Sequence, residues 1–470
     1  MPPAGIDRAR LTALIERERG SYRARHPKSR AAFERGAAHL LGGVPMTWMR
    51  MWAGGFPLYL DYARGAELVD LDGNRFVDFC LGDTGAMAGH SPEPAVAAVT
   101  GRYAGTGGAT TMLPIEDASW LAAELARRFG PTHWSFTLSA TDANRWAIRL
   151  ARQLTGRSKI LVFSHCYHGS VDEAFIVAGP DGPRSREGNV GAPVHPRETT
   201  RVVEFNDVGA LERELGAGDV AAVLMEPALT NIGIVLPDPG YLDAVRVLTA
   251  ERGCLLINDE THTFSAGPGG CTKAWQLSPD MVTIGKSIGG GIPIGGYGLT
   301  AELADRILAD EDADIVDTGG IGGTLAGNAL SIVAARATLE HVLTEAAFER
   351  MIGLADRFTA GVREVIQTCQ LPWTITQLGA RAEYRFCPQP PRTGGESAAA
   401  ADLELDEYLH LYTVNRGVLM TPFHNMALMS PATTEAHVDT HTEVFAGAAD
   451  ELFYPGVAPG LIPTRDRADL

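Results

Sequence analysis

Two short apolar runs between Cys254 and Thr300 constrain this chain most. Cys254 to Asn258 (CLLIN) is almost wholly apolar and closes on Asp259 and Glu260. A run like this, bounded by polar residues, suits a strand buried on both faces of a parallel sheet. It sets the Asp259 carboxylate at the strand's C-terminal end, where open α/β sheets bind ligands. The second run, Asp280 to Gly285, ends at Lys286, 27 positions on (259 to 286). A glycine-dense turn is expected after it, from Gly289 to Gly298. Glycines let backbone crowd close to the lysine. A lysine in such a place can lose its proton through desolvation and nearby positive charge, and then form a Schiff base. Taken singly, each is an ordinary capping Asp or solvated loop Lys; together they point to a site.

A chain of 470 residues is long enough for two domains around one site. Its net charge of −17 argues against a nucleic-acid partner, which needs a basic surface. No apolar run reaches the length of a membrane span, and the N-terminus lacks a signal core, so a cytoplasmic protein is expected. The six cysteines are scattered without a CxxC pair, which fits reduced thiols and no metal site.

Other segments support a mixed α/β reading. Residues 7 to 40 read as helical and arginine-dense, either a solvated face or an arm on a partner subunit. Residues 66 to 78 read as a hairpin around Asp72-Gly73-Asn74. Lys159 to Phe163 and Ala221 to Met225 read as buried strands. Ser139 and Thr141 precede a run with Ala143, Ala147, Leu150, Ala151 and Leu154 at helical spacing. A hydroxyl there is a helix N-cap, and a helix N-terminus is a ready phosphate site. Residues 388 to 401 read as a Pro/Gly/Ala-rich loop, and 329 to 343 as a helix.

In order along the chain, these segments resemble the pyridoxal-phosphate enzymes of fold type I, class III aminotransferases, closest to the glutamate-1-semialdehyde 2,1-aminomutase branch. The likeness rests on Asp259-Glu260, Gly285-Lys286, the Ser139-Ala140-Thr141-Asp142-Ala143 loop, Tyr167-His168-Gly169, Glu226-Pro227 with Asn231, and Gly323-Thr324. It implies a large domain (91–335) with a mostly parallel seven-stranded sheet flanked by helices. A smaller α+β domain is built from residues 1–90 and 336–470. It also implies a homodimer.

The resemblance implies pyridoxal 5′-phosphate as cofactor, in Schiff base with Lys286, its ring nitrogen paired with Asp259. Ser139, Ala140 and Thr141 would cradle its phosphate, with Thr324 added from a neighbouring subunit. Tyr167 would stack on one ring face and Thr261 on the other. His168, Glu226 and Asn231 complete the expected contacts. Arg50 is the candidate for a substrate carboxylate, its planar fork suiting that task. Trp48 is an alternative lining residue, and a plain core role for the aromatics around it is equally open. His262, Arg381 and His424 are further substrate-side candidates.

The activity expected is a ping-pong aminotransferase acting on a carboxylate-bearing amino acid or amine and a keto acid or aldehyde. An intramolecular aminomutase or racemase is the alternative. The unusual Thr261-His262 and the DTGGIG stretch from Asp317 to Gly322 favour the first.

Overall fold

The computed structural model describes residues 6–191, 194–311, 315–316 and 319–453. They form two compact units.

The larger unit comprises residues 92–348 and 391–399. Its main sheet has seven strands, β1 (His133–Thr137), β2 (Lys159–Phe163), β3 (Thr200–Val203), β4 (Val220–Met225), β5 (Leu255–Asp259), β6 (Met281–Ile284) and β7 (Gly295–Leu299). Across the sheet they run β1-β7-β6-β5-β4-β2-β3. Only β7 is antiparallel to its neighbours, β6 and β1. The central strands are continuous apolar runs because helices cover both faces; every residue of β4, β5 and β6 is buried. Leu161, Val223, Leu224 and Ile257 are fully buried, each contributing about 1.5–3 kcal/mol. Phe163, Phe205 and Tyr241 close one side with near-perpendicular rings.

β7 corrects the sequence reading of one long glycine turn. The turn ends early, and Gly295 to Gly298 are strand residues. A Cβ on Gly298 would stand 2.5 Å from Cε2 of Trp134 on β1, so the bulk of β1 accounts for the glycine.

The units also divide differently from the expectation. Helix Ala329–His341 packs on helices Glu93–Thr100 and Asp117–Phe129 of the large unit, and Phe348 meets Phe264 at 5.3 Å. The boundary therefore falls after Phe348 rather than near 335. The stretch read as a loop contains helix Gly394–Ala399. This segment belongs to the large unit because Ser397 Oγ donates to the Ile232 carbonyl and Gly395 N donates to Glu204 at 3.2 Å.

The second unit comprises residues 6–91, 349–390 and 400–453. The expected hairpin pairs Glu67–Asp70 with Arg75–Asp78. Asp70 Oδ1 accepts the amides of Asp72 and Asn74 at 3.0 and 2.8 Å, with Gly73 at φ +87°. Arg381–Arg385 is the middle strand of a separate three-stranded antiparallel sheet. The arginine-rich N-terminus forms helices Arg8–Arg25 and Pro27–Gly36. Some of its arginines pair within the unit, Arg8 with Asp402 and Glu404 and Arg19 with Glu407, while Arg23 and Arg35 lie on an exposed face.

Among the described residues, no helix is long and apolar enough to cross a membrane, and no cluster of three or more ligating side chains could hold a metal. All six cysteines are free thiols.

Candidate active site

The site forms at the C-terminal ends of β5 and β6. Asp259 closes β5, in register with Thr283 of β6. Its side chain is buried, and Oδ2 lies 2.9 Å from His168 Nδ1. Oδ2 also accepts from Asn144 Nδ2 at 2.8 Å, while Oδ1 accepts the Thr261 amide at 3.0 Å. Asn144 is itself fully used: it donates to the His168 carbonyl at 3.1 Å and accepts from Thr283 Oγ1 at 2.6 Å. Burial alone would push the Asp259 carboxyl up and the His168 imidazole down. Their hydrogen bond and opposite charges outweigh burial, with Cys166 adding to the effect at His168. Asp259 is held below the ordinary carboxyl range and His168 well above the ordinary imidazole value.

Lys286 follows β6 after one glycine. Its backbone is left-handed, φ +51°, a conformation costing a non-glycine residue about 1–2 kcal/mol. The Nζ atom lies 2.7 Å from Nε2 of His262, which is 7% exposed and sits three residues past Asp259.

Beside them, Ser139 caps helix Ala140–Thr155, its Oγ accepting the Asp142 amide at 3.2 Å. Three glycines let other backbone close on this helix start. A Cβ on Gly285 would stand 2.8 Å from the Ala140 amide, one on Gly295 2.6 Å from the Ser139 carbonyl, and one on Gly169 2.1 Å from Thr141 Oγ1. Thr141 Oγ1 also accepts the Ser170 amide at 3.1 Å.

Glu226, just beyond β4, is buried and accepts from the Tyr167 amide at 3.3 Å and from Thr230 Oγ1. Burial raises its pKa, with the Asp259 charge adding and His168 opposing. Tyr167 is half-buried, edge-on to Phe175 at 6.5 Å. Asn231 is half-buried in a loop closed by the Leu229–Val235 bridge. Glu260 is wholly buried and anchors the turn after β5, accepting from Thr263 Oγ1 at 2.6 Å and from the amides of Cys271 and Thr272 at 3.0 and 2.5 Å.

The structure thus gathers Ser139, Ala140, Thr141, Tyr167, His168, Glu226, Asp259, Thr261, His262 and Lys286 in one unit. His168, read as a cofactor contact, is 1% exposed and grips Asp259, so it acts through that carboxylate. Thr324 is exposed in the turn before helix Ala329–His341. Arg50, Trp48, Arg381 and His424 belong to the other unit. Trp48 is not a core residue; it is 38% exposed, edge-on to Phe423 at 5.7 Å, among the exposed Met46, Met49 and Met51. Arg381 is wholly buried, in a strand with Glu383, whose carboxylate lies 3.2 Å from His424 Nδ1. Asp317 and Thr318 lie outside the described residues.

Sequence reasoning missed Asn144. The signal was present: it shares a helix face with Ala147, Ile148 and Ala151, an amide inside an apolar stripe.

These residues fit pyridoxal phosphate. Asp259 is a buried anion whose Oδ1 keeps lone-pair capacity for a protonated ring nitrogen. The amides of Ala140 and Thr141, ahead of the capped Asp142, suit a phosphate, inside a cradle that a Cβ on Gly169 or Gly285 would fill.

The chain is similar to several known proteins. A glutamate-1-semialdehyde 2,1-aminomutase of Rhodopirellula baltica is 35% identical over 379 residues, 77% of this chain and 82% of that protein. The crystal structure of a glutamate-1-semialdehyde-aminomutase from Pseudomonas aeruginosa PAO1 is 46% identical, covers 96% of this chain and 100% of its own, and superposes with a TM-score of 0.92. A K286A form of that protein, in complex with PMP, gives 0.91. An omega-transaminase from Sphaerobacter thermophilus is 29% identical over 90% of this chain and 97% of its own, with a TM-score of 0.81. Residues 49–448 match the model of the Aminotransferase class-III family, a span that takes in the whole sheet and both strand ends bearing Asp259 and Lys286, and the chain belongs to that family.

Proposed function

We propose that the chain is a pyridoxal-phosphate-dependent aminomutase of the glutamate-1-semialdehyde 2,1 type, moving an amino group between adjacent carbons of one small carboxylate-bearing molecule. The observation that carries this reading is the 46% identity to the Pseudomonas aeruginosa aminomutase across 96% of the chain. The sequence alone favours an aminotransferase; these relatives reverse that preference.

Pyridoxal 5′-phosphate is the cofactor. Bound, it supplies an electron sink for negative charge developing on carbon next to the substrate nitrogen. Asp259, kept ionised by His168 and Asn144, holds the ring nitrogen protonated. The Ser139–Thr141 helix start holds the phosphate. Tyr167 and Thr261 would flank the ring, and Asn231 would contact its 3′ oxygen. Lys286 would be the covalent anchor and, once released, the general acid/base that holds and moves a proton at its Nζ. Arg50 and Arg381 are candidates for the substrate carboxylate. Thr324, in its exposed turn, is offered to the phosphate site of a second copy in a homodimer.

A two-substrate aminotransferase is the second reading, favoured by His262 against Lys286 and by the likeness to the Sphaerobacter omega-transaminase. One experiment separates them. Purified, cofactor-loaded protein is given glutamate-1-semialdehyde with no keto acid, and product and absorbance are followed. The aminomutase reading expects the 5-amino-4-oxo acid, with the cofactor returning to its starting spectrum. Accumulation of the pyridoxamine form, with turnover only after a keto acid is added, overturns it for the aminotransferase.

A further inference from the structure

We propose that His262 is the proton acceptor for Lys286, taking a proton from the lysine ammonium so that the amine stands free to attack a carbonyl and to carry protons. This rests on the reading of Lys286 as the amine that anchors the cofactor.

The geometry restricts the protons. Two nitrogens 2.7 Å apart, Lys286 Nζ and His262 Nε2, make a hydrogen bond only when one of them offers a lone pair. An ammonium facing an imidazolium N–H has none. The doubly protonated pair is therefore excluded, and the singly protonated one is written either as ammonium with neutral imidazole or as free amine with imidazolium. The transfer between them breaks an N–H bond at Nζ and makes one at Nε2, and nothing else is consumed.

Both partners are fixed. His262 is buried in the turn that the Glu260 carboxylate pins to the amides of Cys271 and Thr272, and its own carbonyl accepts the Ser265 amide at 3.3 Å. Lys286 is aimed by its left-handed backbone, directly after an extended glycine with no room for a side chain.

The neighbouring carboxylates are each committed to other groups. Asp259 is engaged by His168 and Asn144, Glu226 by Thr230 and the Tyr167 amide, and Glu260 by the turn it anchors. The helix Ala329–His341, packed over the Lys286 turn, contributes Arg336 and Glu340, which bond to one another, with Arg336 also on Asp117. The positive charge passes from lysine to imidazole within one hydrogen-bonded pair, so the net charge of the buried site is unchanged by the transfer. An imidazole is also the side chain best able to give and take a proton near neutrality.

The test uses the full chain stripped of cofactor. Pyridoxal 5′-phosphate is added from about pH 6 to about pH 10, and the rate of appearance of its lysine-bound absorbance band is recorded for wild type, His262→Phe and His262→Gln. At about pH 7 both variants are expected to form the band at least about tenfold more slowly than wild type, with the gap closing as the medium becomes alkaline enough to free the amine unaided. Glutamine matters because it accepts a hydrogen bond yet cannot take the proton. If glutamine keeps the wild-type profile, His262 only holds the amine in place and the proposal falls. It falls equally if phenylalanine leaves the profile unmoved. If wild type forms no band and borohydride labels nothing at Lys286, the anchor reading beneath it has failed instead. Should the phenylalanine variant not fold, the glutamine profile alone decides.

Discussion

Nδ1 of His168 lies 2.9 Å from Oδ2 of Asp259, with both side chains buried, the carboxyl held below its ordinary range and the imidazole well above its own. Removing one member of a buried ion pair typically costs about 3–5 kcal/mol. The raised imidazole value means stability that is complete below about pH 6.5 and fades as pH climbs through the folded value. The lowered carboxyl value means stability that is complete above about pH 3.9 and fades as pH falls through its folded value. His168→Asn should therefore lose most stability, relative to wild type, between about pH 4 and 6.5. Urea unfolding of the cofactor-free protein across pH measures the gap. A gap that does not vary with pH would show that the pair is not ionic.

Gly169 is needed for space and for backbone. It sits at φ +77°, and its missing Cβ would fall 2.1 Å from Thr141 Oγ1. Gly156, which ends the same helix at φ +67°, has nothing within 4 Å of its missing Cβ. Both alanine variants incur backbone strain of about 1–2 kcal/mol. Only Gly169→Ala should also displace the helix start that receives the phosphate, weakening pyridoxal 5′-phosphate binding by about tenfold or more, equivalent to about 1.4 kcal/mol. Fluorescence titration of both proteins decides. Equal affinities would remove Gly169 from the cradle.

What the sequence could show follows from how locally each feature is encoded. The strands around Asp259 and Lys286 were legible because a strand covered on both faces reads as a near-continuous apolar run, as β4 does throughout and β5 does from Leu255 to Ile257. Ser139 was legible because an N-cap acts within three residues. Gly295 to Gly298 were misread because a strand glycine set against Trp134 looks in sequence like any turn glycine. The pairing of Arg8 was not legible for a similar reason: its partner Asp402 lies almost 400 positions away. His168 could be placed at the site, but its burial behind Asp259 exists only once β2 and β5 share a sheet.

Arg381 offers a choice between fold and substrate. Its strand-mate Glu383 is buried, which would raise its carboxyl, yet His424, Arg381 and Arg385 hold it below the ordinary range. Stability from this carboxylate is present above about pH 4.3 and is lost as pH falls through its lowered value. Arg381→Met should cost about 3–5 kcal/mol near neutral pH and progressively less in acid. Urea denaturation at two pH values checks this. A raised KM with unchanged stability would instead place Arg381 on the substrate.

Asn144 links three groups that lie far apart in sequence. One amide hydrogen goes to Asp259 and the other to the His168 carbonyl, while its oxygen receives the Thr283 hydroxyl. Asn144→Leu keeps the volume and removes all three bonds. A buried polar group left unmatched costs about 1–3 kcal/mol, so the loss should be about 2–5 kcal/mol. Thr283→Val alone should cost less, since it leaves one lone pair of an amide oxygen unused. The double variant discriminates, because replacing both partners with apolar groups removes the orphaned hydroxyl. It should therefore be more stable than the sum of the single losses predicts, by about 1 kcal/mol. Simple additivity would mean that Asn144 supports Asp259 alone, and that the Thr283 contact contributes nothing to holding the carboxylate at the end of β5.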